Sequence, residues 1–230
     1  ENATLIIHPR GARHMVEPQR LVASSIDVYG ERAFRELYGD IVPVDRNRIV
    51  EAPDGYTVDL SGRELLVRHT PGHADHHFCL WDAHSEGWFS GDMFGVSYSN
   101  MRFAIGDFLM ASTTPTQFRP DAFLQSVKML QVYSPSYMYL THYGELAYSD
   151  ALARLLCQQV EDYATFAKDD TQPPESLEQR IVDYTLGLLA PFDPTASKEA
   201  LRLLIEFDVR LNVQGLAVWR ARINKAAMAN

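Results

Sequence analysis

The sequence is poor in cysteine, in positive charge and in long apolar stretches, and each shortage excludes a class of protein. Its two cysteines, Cys79 and Cys157, lie far apart, which excludes a disulfide scaffold and favours a reducing, cytoplasmic location. Lysine and arginine number 21 against 30 acidic residues, so the net charge is −9 and no nucleic-acid partner is expected. No apolar stretch is long enough to span a bilayer, so no membrane association is expected either.

The sequence also lacks the common motifs of nucleotide binding and of serine-based catalysis. It has no glycine-rich phosphate loop, no dinucleotide fingerprint and no serine elbow. Hydrophobic residues make up 46% of the chain, which is enough for a sizeable core. The chain is therefore expected to be globular, and its chemistry must rest on other residues.

Hydrophobic periodicity changes along the chain. Residues 19–38 have helical spacing broken by glycine, and residues 42–99 alternate in short antiparallel strands separated by turn signals. A helix is expected to begin near Pro120, and another short strand ends at His142. Beyond about residue 150 the pattern is helical, so the predicted order is helix, strand block, helix, strand and helical tail.

Histidines crowd one turn between two predicted strands, in the stretch RHTPGHADHHFCLWD at residues 68–82. Three polar residues each end a hydrophobic run at a turn: His73 after TPG, Asp92 after FSG and His142 after YLT. Side chains at strand ends project from the rim of a sheet, and two imidazoles with a carboxylate suit zinc, manganese or iron. Each residue alone also fits an ordinary turn or a solvated histidine, so spacing alone leaves the metal site open.

Two further features of this pattern bear on the site. Gly72 and Gly91 directly precede candidate ligands and allow a close approach of the backbone. His76 and His77 are adjacent, so in an alternating strand they point to opposite faces and at most one of them looks into the site. Most of the crowded histidines are therefore expected to be neighbours of a metal and not its ligands.

The segments HTPGH, FSGD and YLTHYG, in this order and at these intervals, resemble the ligand motifs of the metallo-β-lactamase superfamily. The likeness extends to IIHPRGARHMVEPQRL, HADHHF, TTPTQFRPDAF and LNVQGLAVW, so it covers essentially the whole chain. It implies an α+β protein with the αββα sandwich of that superfamily over residues 1–149. Residues 150–230 then form a helical C-terminal extension that packs on this domain. The implied function is a metal-dependent hydrolase acting on a small molecule with an ester-, lactone- or thioester-like bond.

Carried onto this sequence, the resemblance implies a role for each candidate residue. His73 corresponds to a ligand of one metal ion and His142 to a ligand of a second, while Asp92 corresponds to the catalytic carboxylate that bridges both. Three further residues are expected to line the pocket or to hydrogen-bond to the ligands: His69, His77 and Tyr143. The metal is expected to be zinc, with iron or manganese as alternatives, and a complete family site holds two ions that activate a water molecule.

The family motif His-x-His-x-Asp-His does not occur in this sequence. What remains is one ligand for each metal and the bridge, so one ion or none is expected in this chain. Either the sequence is a truncated form whose fold is incomplete at the N-terminus, which its start inside a strand without methionine favours, or the protein truly lacks the segment. In the second case a homo-oligomer is expected to cover the exposed sheet.

Three functional hypotheses follow from this incomplete motif set. The leading one is a metal-dependent hydrolase, and the second is a non-catalytic homologue that keeps the scaffold for binding or assembly. The third is a mononuclear site that recruits His69 or His77 as a replacement ligand.

The loop after Asp92 is rich in large apolar residues: Met101, Phe103, Phe108, Leu109 and Met110. Two expectations stay open for it. The loop either forms an apolar wall of the pocket or packs against the helical tail.

Overall fold

The computed structural model describes residues 3–113, 117–142, 144–169 and 171–228. The chain has two compact units, residues 1–56 and residues 57–230. Each unit has its own strands and helices. No helix in the described part of the chain is long and apolar enough to cross a bilayer.

The first unit is built on two parallel strands joined by helices. Its main elements are β1 (Leu5–Ile7), α1 (Pro9–Val16), α2 (Gln19–Tyr29), α3 (Glu31–Tyr38) and β2 (Ile49–Glu51). Helix α1 begins where the ring Nδ1 of the buried His8 accepts a hydrogen bond from the backbone N–H of Arg10 at 3.0 Å. Gly30 ends α2 and begins α3, so the predicted helical stretch broken by glycine is confirmed.

The second unit contains a mixed sheet, a short two-stranded ribbon and the C-terminal helices. Its elements in chain order are β3 (Thr57–Leu60), β4 (Arg63–His69), β5 (Phe78–Asp82), β6 (Gly87–Gly91), β7 (Arg102–Phe103), β8 (Gly106–Asp107), α4 (Pro120–Gln131), β9 (Tyr137–Leu140), β10 (Gly144–Ala147), α5 (Asp150–Lys168), α6 (Leu177–Leu189) and α7 (Lys198–Met228). The sheet order is β10-β9-β6-β5-β4-β3, and its neighbours are antiparallel except for the parallel pair β6 and β9. Helix α4 lies between these two parallel strands in sequence, as such a crossover requires.

Local sequence explains where the helices of this unit begin. Pro120 occupies the first turn of α4 with Asp121 beside it, where a missing N–H costs nothing and a negative charge is favourable. Helix α5 begins where Ser149 Oγ accepts a hydrogen bond from the backbone N–H of Leu152 at 3.2 Å. The predicted antiparallel strands, the helix near Pro120 and the helical tail are confirmed.

The sheet and the C-terminal helices of the second unit share one hydrophobic core. The ring centroid of Phe118 lies 6.4 Å from that of Trp219 on α7, and the centroid of Phe108 lies 5.3 Å from that of Phe192. The apolar loop after Asp92 therefore packs against the helical tail, the second of its two expectations. The predicted division into residues 1–149 and 150–230 stays a prediction, and its boundary falls inside this unit at the start of α5.

Candidate metal centre

Three strands of the second unit run in the same direction and end at the same edge of the sheet. Strands β4 and β6 are both antiparallel to β5, and β9 is parallel to β6 with Leu140 opposite Gly91. The segments that follow these three strands carry His73, Asp92 and His142. The topology thus brings together three residues that are far apart in the sequence.

These three side chains meet at the carboxylate of Asp92. Its Oδ1 lies 3.1 Å from Nε2 of His142, and its Oδ2 lies 3.6 Å from Nε2 of His73. The exposed fraction of the side chain rises from 14% for His73 through 25% for Asp92 to 49% for His142. The cluster is therefore closed at His73 and open to solvent at His142.

A backbone carbonyl orients the ring of His73. Nδ1 of this ring lies 3.1 Å from the carbonyl oxygen of Ser112. Because a carbonyl can only accept, Nδ1 carries the proton and Nε2 presents its lone pair toward Asp92. Burial lowers the pKa of His73 below its ordinary value, although the nearby charge of Asp92 opposes this. A neutral imidazole with a free lone pair is the form that binds metals.

Two glycines let the backbone pass where a larger residue does not fit. Gly72 has φ +140°, and a Cβ added to it would lie 2.3 Å from the backbone N and Cα of Phe123. Gly91 has φ +54°, and its added Cβ would lie 2.4 Å from Nε2 of His77. The backbone therefore passes close to helix α4 at Gly72 and close to His77 at Gly91, and the expected approach to a metal site stays a prediction.

His77 lies beside the cluster. The centroid of its ring is 5.9 Å from that of His73, in an edge-on arrangement, and its Nδ1 is 2.7 Å from Thr70 Oγ1. The same hydroxyl of Thr70 is 3.3 Å from Sγ of the buried Cys79. A role for His77 in lining the pocket stays a prediction that this position favours.

The other residues predicted around the site have different surroundings. His76 is exposed, and its Nδ1 lies 3.2 Å from Oε1 of Gln117. His69 is the last residue of β4 and pairs in register with Phe78. Tyr143 lies outside the described residues. The roles predicted for His69 and Tyr143 therefore stay predictions.

The C-terminal helix brings a carboxylate near the exposed end of the cluster. Asp208, on α7, accepts a hydrogen bond from the hydroxyl of Tyr98 at 2.8 Å. Burial raises the pKa of Asp208 above its ordinary value, and its electrostatic interaction with His142 opposes the rise. Helix α7 is thus electrostatically coupled to one of the candidate ligands.

The donors match a divalent metal ion in type but are few in number. Zinc, iron and manganese accept imidazole nitrogen and carboxylate oxygen, and a cation suits the facing lone pairs of His73 Nε2 and Asp92 Oδ2. Over residues 3–113, 117–142, 144–169 and 171–228, no group of three or more His, Cys, Asp or Glu side chains is arranged to hold a metal ion. The cluster is therefore a partial ligand set whose residue types fit a metal and whose coordination needs further ligands.

The sequence model of one protein family matches the part of this chain that carries His73, Asp92 and His142. The model of the metallo-beta-lactamase superfamily matches residues 2–142, which is more than half of the chain and includes His73, Asp92 and His142. This chain belongs to the metallo-β-lactamase superfamily. The resemblance drawn from its motifs is thereby confirmed.

Two solved structures share this metallo-β-lactamase fold. A superfamily protein from Sulfolobus tokodaii matches with a TM-score of 0.61 and 17% sequence identity, over 93% of this chain and 70% of that one. A family protein from Thermus thermophilus matches with a TM-score of 0.52 and 17% identity, over 78% of this chain and 60% of that one. The predicted α+β, metallo-β-lactamase-like fold with C-terminal helices is therefore confirmed, and at this identity the likeness shows the fold alone. No curated protein matches the sequence.

Four residues that the sequence did not reveal are linked to the cluster in this structure, directly or through one another: Tyr98, Ser112, Asp208 and Asn212. Ser112 acts through its backbone carbonyl, which no side-chain pattern reveals. Asp208 and Asn212 lie one helical turn apart on α7, and Asn212 is almost fully buried. Polar residues on the buried side of a long amphipathic helix are the signal that would have found them.

Proposed function

We propose that this chain acts as a metal-dependent hydrolase in which His73, Asp92 and His142 contribute ligands to a divalent metal ion. The observation that supports this proposal is the carboxylate of Asp92 lying against the Nε2 atoms of two imidazoles, in a chain of the metallo-β-lactamase superfamily. Zinc is the proposed ion, with iron or manganese as alternatives. A complete family site holds two ions, and we propose that this partial set holds one.

The chain's own residues would prepare the reaction at this site. A divalent ion, when bound, supplies an acidified water molecule and polarises the scissile carbonyl. Burial favours the neutral form of His73 by lowering its pKa, and the Ser112 carbonyl, which accepts a hydrogen bond from Nδ1, leaves the Nε2 lone pair facing inward. Asp92 is the proposed catalytic carboxylate, since it contacts both imidazoles. His142 lies on the side open to solvent, where a small ester-, lactone- or thioester-like substrate would enter.

The test compares the wild type with His73→Ala. Metal content is measured by plasma mass spectrometry, and hydrolysis is measured on a panel of esters, lactones and thioesters. We expect bound metal and hydrolysis in the wild type and a loss of both in the variant. His76→Ala is the matched control, because His76 is exposed and contacts Gln117. A metal-free wild type that behaves like His73→Ala would contradict the proposal.

A second candidate is a non-catalytic homologue that keeps the scaffold for binding or assembly. It is favoured by the finding that the described residues contain no complete group of metal ligands. A folded wild type that takes up no metal and hydrolyses none of the panel would support it.

A third candidate, a mononuclear site with His77 as replacement ligand, is favoured by the 5.9 Å between the His73 and His77 rings. An anomalous scattering peak at coordination distance from His77 would support that arrangement.

The predicted assembly and location are also part of the proposal. A homo-oligomer and a cytoplasmic location rest on the sequence alone and stay predictions. Sedimentation equilibrium over a range of concentrations checks the first, and fractionation of cells that produce the protein checks the second.

A further inference from the structure

The segment Leu109–Thr113 runs extended through the interior, and its backbone groups bond on alternate sides. The Met110 backbone N–H donates to the Val96 carbonyl at 2.9 Å, and the Val96 N–H donates back to the Met110 carbonyl at 2.8 Å. The neighbouring residues Leu109 and Ala111 direct backbone N–H and carbonyl groups to the opposite side of the segment. No strand of the described sheets lies on that side. Buried backbone groups of this kind need other partners.

Two buried amide side chains from the C-terminal helices supply these partners. Gln159, on α5, donates from Nε2 to the Leu109 carbonyl at 2.8 Å and accepts from the Ala111 N–H at 3.0 Å. Asn212, on α7, donates from Nδ2 to the Ala111 carbonyl at 2.8 Å and accepts from the Thr113 N–H at 2.7 Å. An amide carries one donor and one acceptor group in a plane, so each side chain imitates the backbone of a neighbouring strand.

Asn212 holds the two residues that flank Ser112. Its contacts with Thr113 are reinforced, because the Thr113 hydroxyl lies 3.0 Å from both the Oδ1 and the backbone carbonyl oxygen of Asn212. The Ser112 carbonyl between these anchored residues is the group that accepts the Nδ1 proton of His73. A chain of hydrogen bonds and two peptide links therefore joins helix α7 to a candidate metal ligand.

We propose that Asn212 is a positioning residue for His73. By clamping Ala111 and Thr113, it fixes the Ser112 carbonyl where it selects the Nδ1-protonated form of the ring and leaves the Nε2 lone pair facing Asp92. Gln159 supports the same segment through its hydrogen bonds to Leu109 and Ala111. The inference deepens the proposed function and rests on it for the role of His73 as a ligand.

The decisive variant is Asn212→Leu, which keeps the number and branching of the side-chain heavy atoms and removes the hydrogen bonds of the side chain. The readout is the imidazole ¹⁵N spectrum of the metal-free protein, recorded well above the ordinary imidazole pKa of about 6.5. We expect the wild-type His73 to be protonated at Nδ1, and the variant to shift toward protonation at Nε2. Zinc affinity, measured by competition with a chelator, should fall by about 10-fold or more.

Thr185→Val is the matched control, because it also removes a buried hydrogen bond without changing the size of the side chain. Thr185 lies on α6, and its Oγ1 is 3.1 Å from the hydroxyl of Tyr163. This variant should lose stability and keep both the wild-type spectrum of His73 and the wild-type zinc affinity. The same spectral change in Thr185→Val would overturn the proposal, because it would show a general effect of destabilisation.

A milder variant covers the case in which Asn212→Leu does not fold. Asn212→Asp keeps the acceptor for the Thr113 N–H and loses the donor to the Ala111 carbonyl, so a partial shift toward Nε2 protonation is expected. A folded variant of either kind whose His73 stays fully protonated at Nδ1 overturns the inference. A wild type that binds neither zinc nor iron nor manganese contradicts the proposed function, whereas the metal-free spectra still decide the role of Asn212.

Discussion

His142 Nε2 lies 3.1 Å from Oδ1 of Asp92, although the two residues follow different strands, β9 and β6. These strands are parallel neighbours, and Leu140 stands opposite Gly91 at their carboxyl ends. The contact therefore depends on the order of strands in the sheet and not on the local sequence of either segment. Because the other carboxylate oxygen of Asp92 faces His73, a change at Asp92 should affect both imidazoles at once.

Asp92→Asn tests the carboxylate as the shared ligand. The amide keeps the shape of the side chain and removes its charge. We expect zinc affinity to fall by more than the 10- to 100-fold or so that loss of an outer hydrogen-bond partner causes. A competition titration with a chromophoric chelator measures this. Asp75→Asn is the control, because Asp75 lies in the histidine turn but pairs with Arg119 at 2.7 Å. Equal affinities for wild type and Asp92→Asn would contradict the prediction.

The sequence predicted the residue types of the cluster and could not predict how its parts are held. His73, Asp92 and His142 stood out because each ends a hydrophobic run at a turn, and the resemblance of the ordered motifs then implied that they are ligands. The contact between the Ser112 carbonyl and His73 could not be predicted, because the spacing of side chains in a sequence carries no information on individual backbone groups. Its position depends on a clamp from Asn212, which lies in another part of the chain.

The expectation for the two adjacent histidines rested on strand alternation, and the structure has no strand at their positions. Strand alternation predicted that His76 and His77 point to opposite faces. Strand β5 begins only at Phe78, so both residues lie in the turn that precedes it. Their side chains contact different partners there, Gln117 for His76 and Thr70 for His77, and their opposite orientation stays a prediction.

In the fold, hydrophobic periodicity predicted the secondary-structure elements but not the contacts between them. Hydrophobic spacing predicted the strand block and the helical tail, because each element must bury one face. Periodicity could not show that Trp219 of the tail meets Phe118 in the same core as the sheet. That contact joins distant parts of the chain and depends on tertiary structure alone.

Gly72→Ala and Gly106→Ala form a pair that separates steric clash from backbone strain. Both glycines have a positive φ, +140° and +136°, so an alanine is strained at either position by about 1–3 kcal/mol. Only at Gly72 would the new Cβ meet backbone atoms of Phe123, at 2.3 Å, whereas it meets nothing within 4 Å at Gly106. Gly72→Ala should therefore lower the free energy of unfolding by a further 1–3 kcal/mol or so, measured in urea. Equal losses in the two variants would show that the clash relaxes at no cost.

The pair of Asp82 and Arg63 predicts a loss of stability in acid. The Arg63 guanidinium, bound to both carboxylate oxygens, holds the pKa of Asp82 well below its usual range, with help from the Ser85 hydroxyl and the His84 N–H. A depressed carboxyl pKa contributes stability that is complete above the unfolded value of about 3.9 and is lost as the pH falls through the folded value. Arg63 is half-exposed, so solvent screens this pair and reduces its contribution.

Asp82→Asn should accordingly lower the free energy of unfolding at neutral pH by about 1–2 kcal/mol. The difference from the wild type should shrink as the pH falls below about 4, where the unfolded carboxyl becomes protonated. Urea titrations at several pH values measure it. Asp183→Asn is the control, since the exposed pair of Asp183 and Lys198 should contribute much less. A difference that does not change with pH would show that shape, and not charge, is responsible.

The two cysteines should differ sharply in reactivity, although one of them lies close to the cluster. Burial raises the pKa of the Cys79 thiol to about 12, and its Sγ donates to the Ser90 carbonyl at 3.3 Å. Cys157, on α5, is only partly buried. Because the thiolate is the reactive form, iodoacetamide should modify Cys157 in the native protein and spare Cys79, while both react in urea.

Intact mass and peptide mapping measure the sites and rates of this modification. Cys157→Ser is the informative variant, because its native form should gain no label at all. Rapid labelling of native Cys157→Ser would show that the segment around Thr70 and Cys79 opens readily. His77 is held by the same Thr70 hydroxyl at 2.7 Å, so such opening would also release the histidine beside the cluster. The labelling rate of Cys79 therefore reports how rigidly the surroundings of His73 are held.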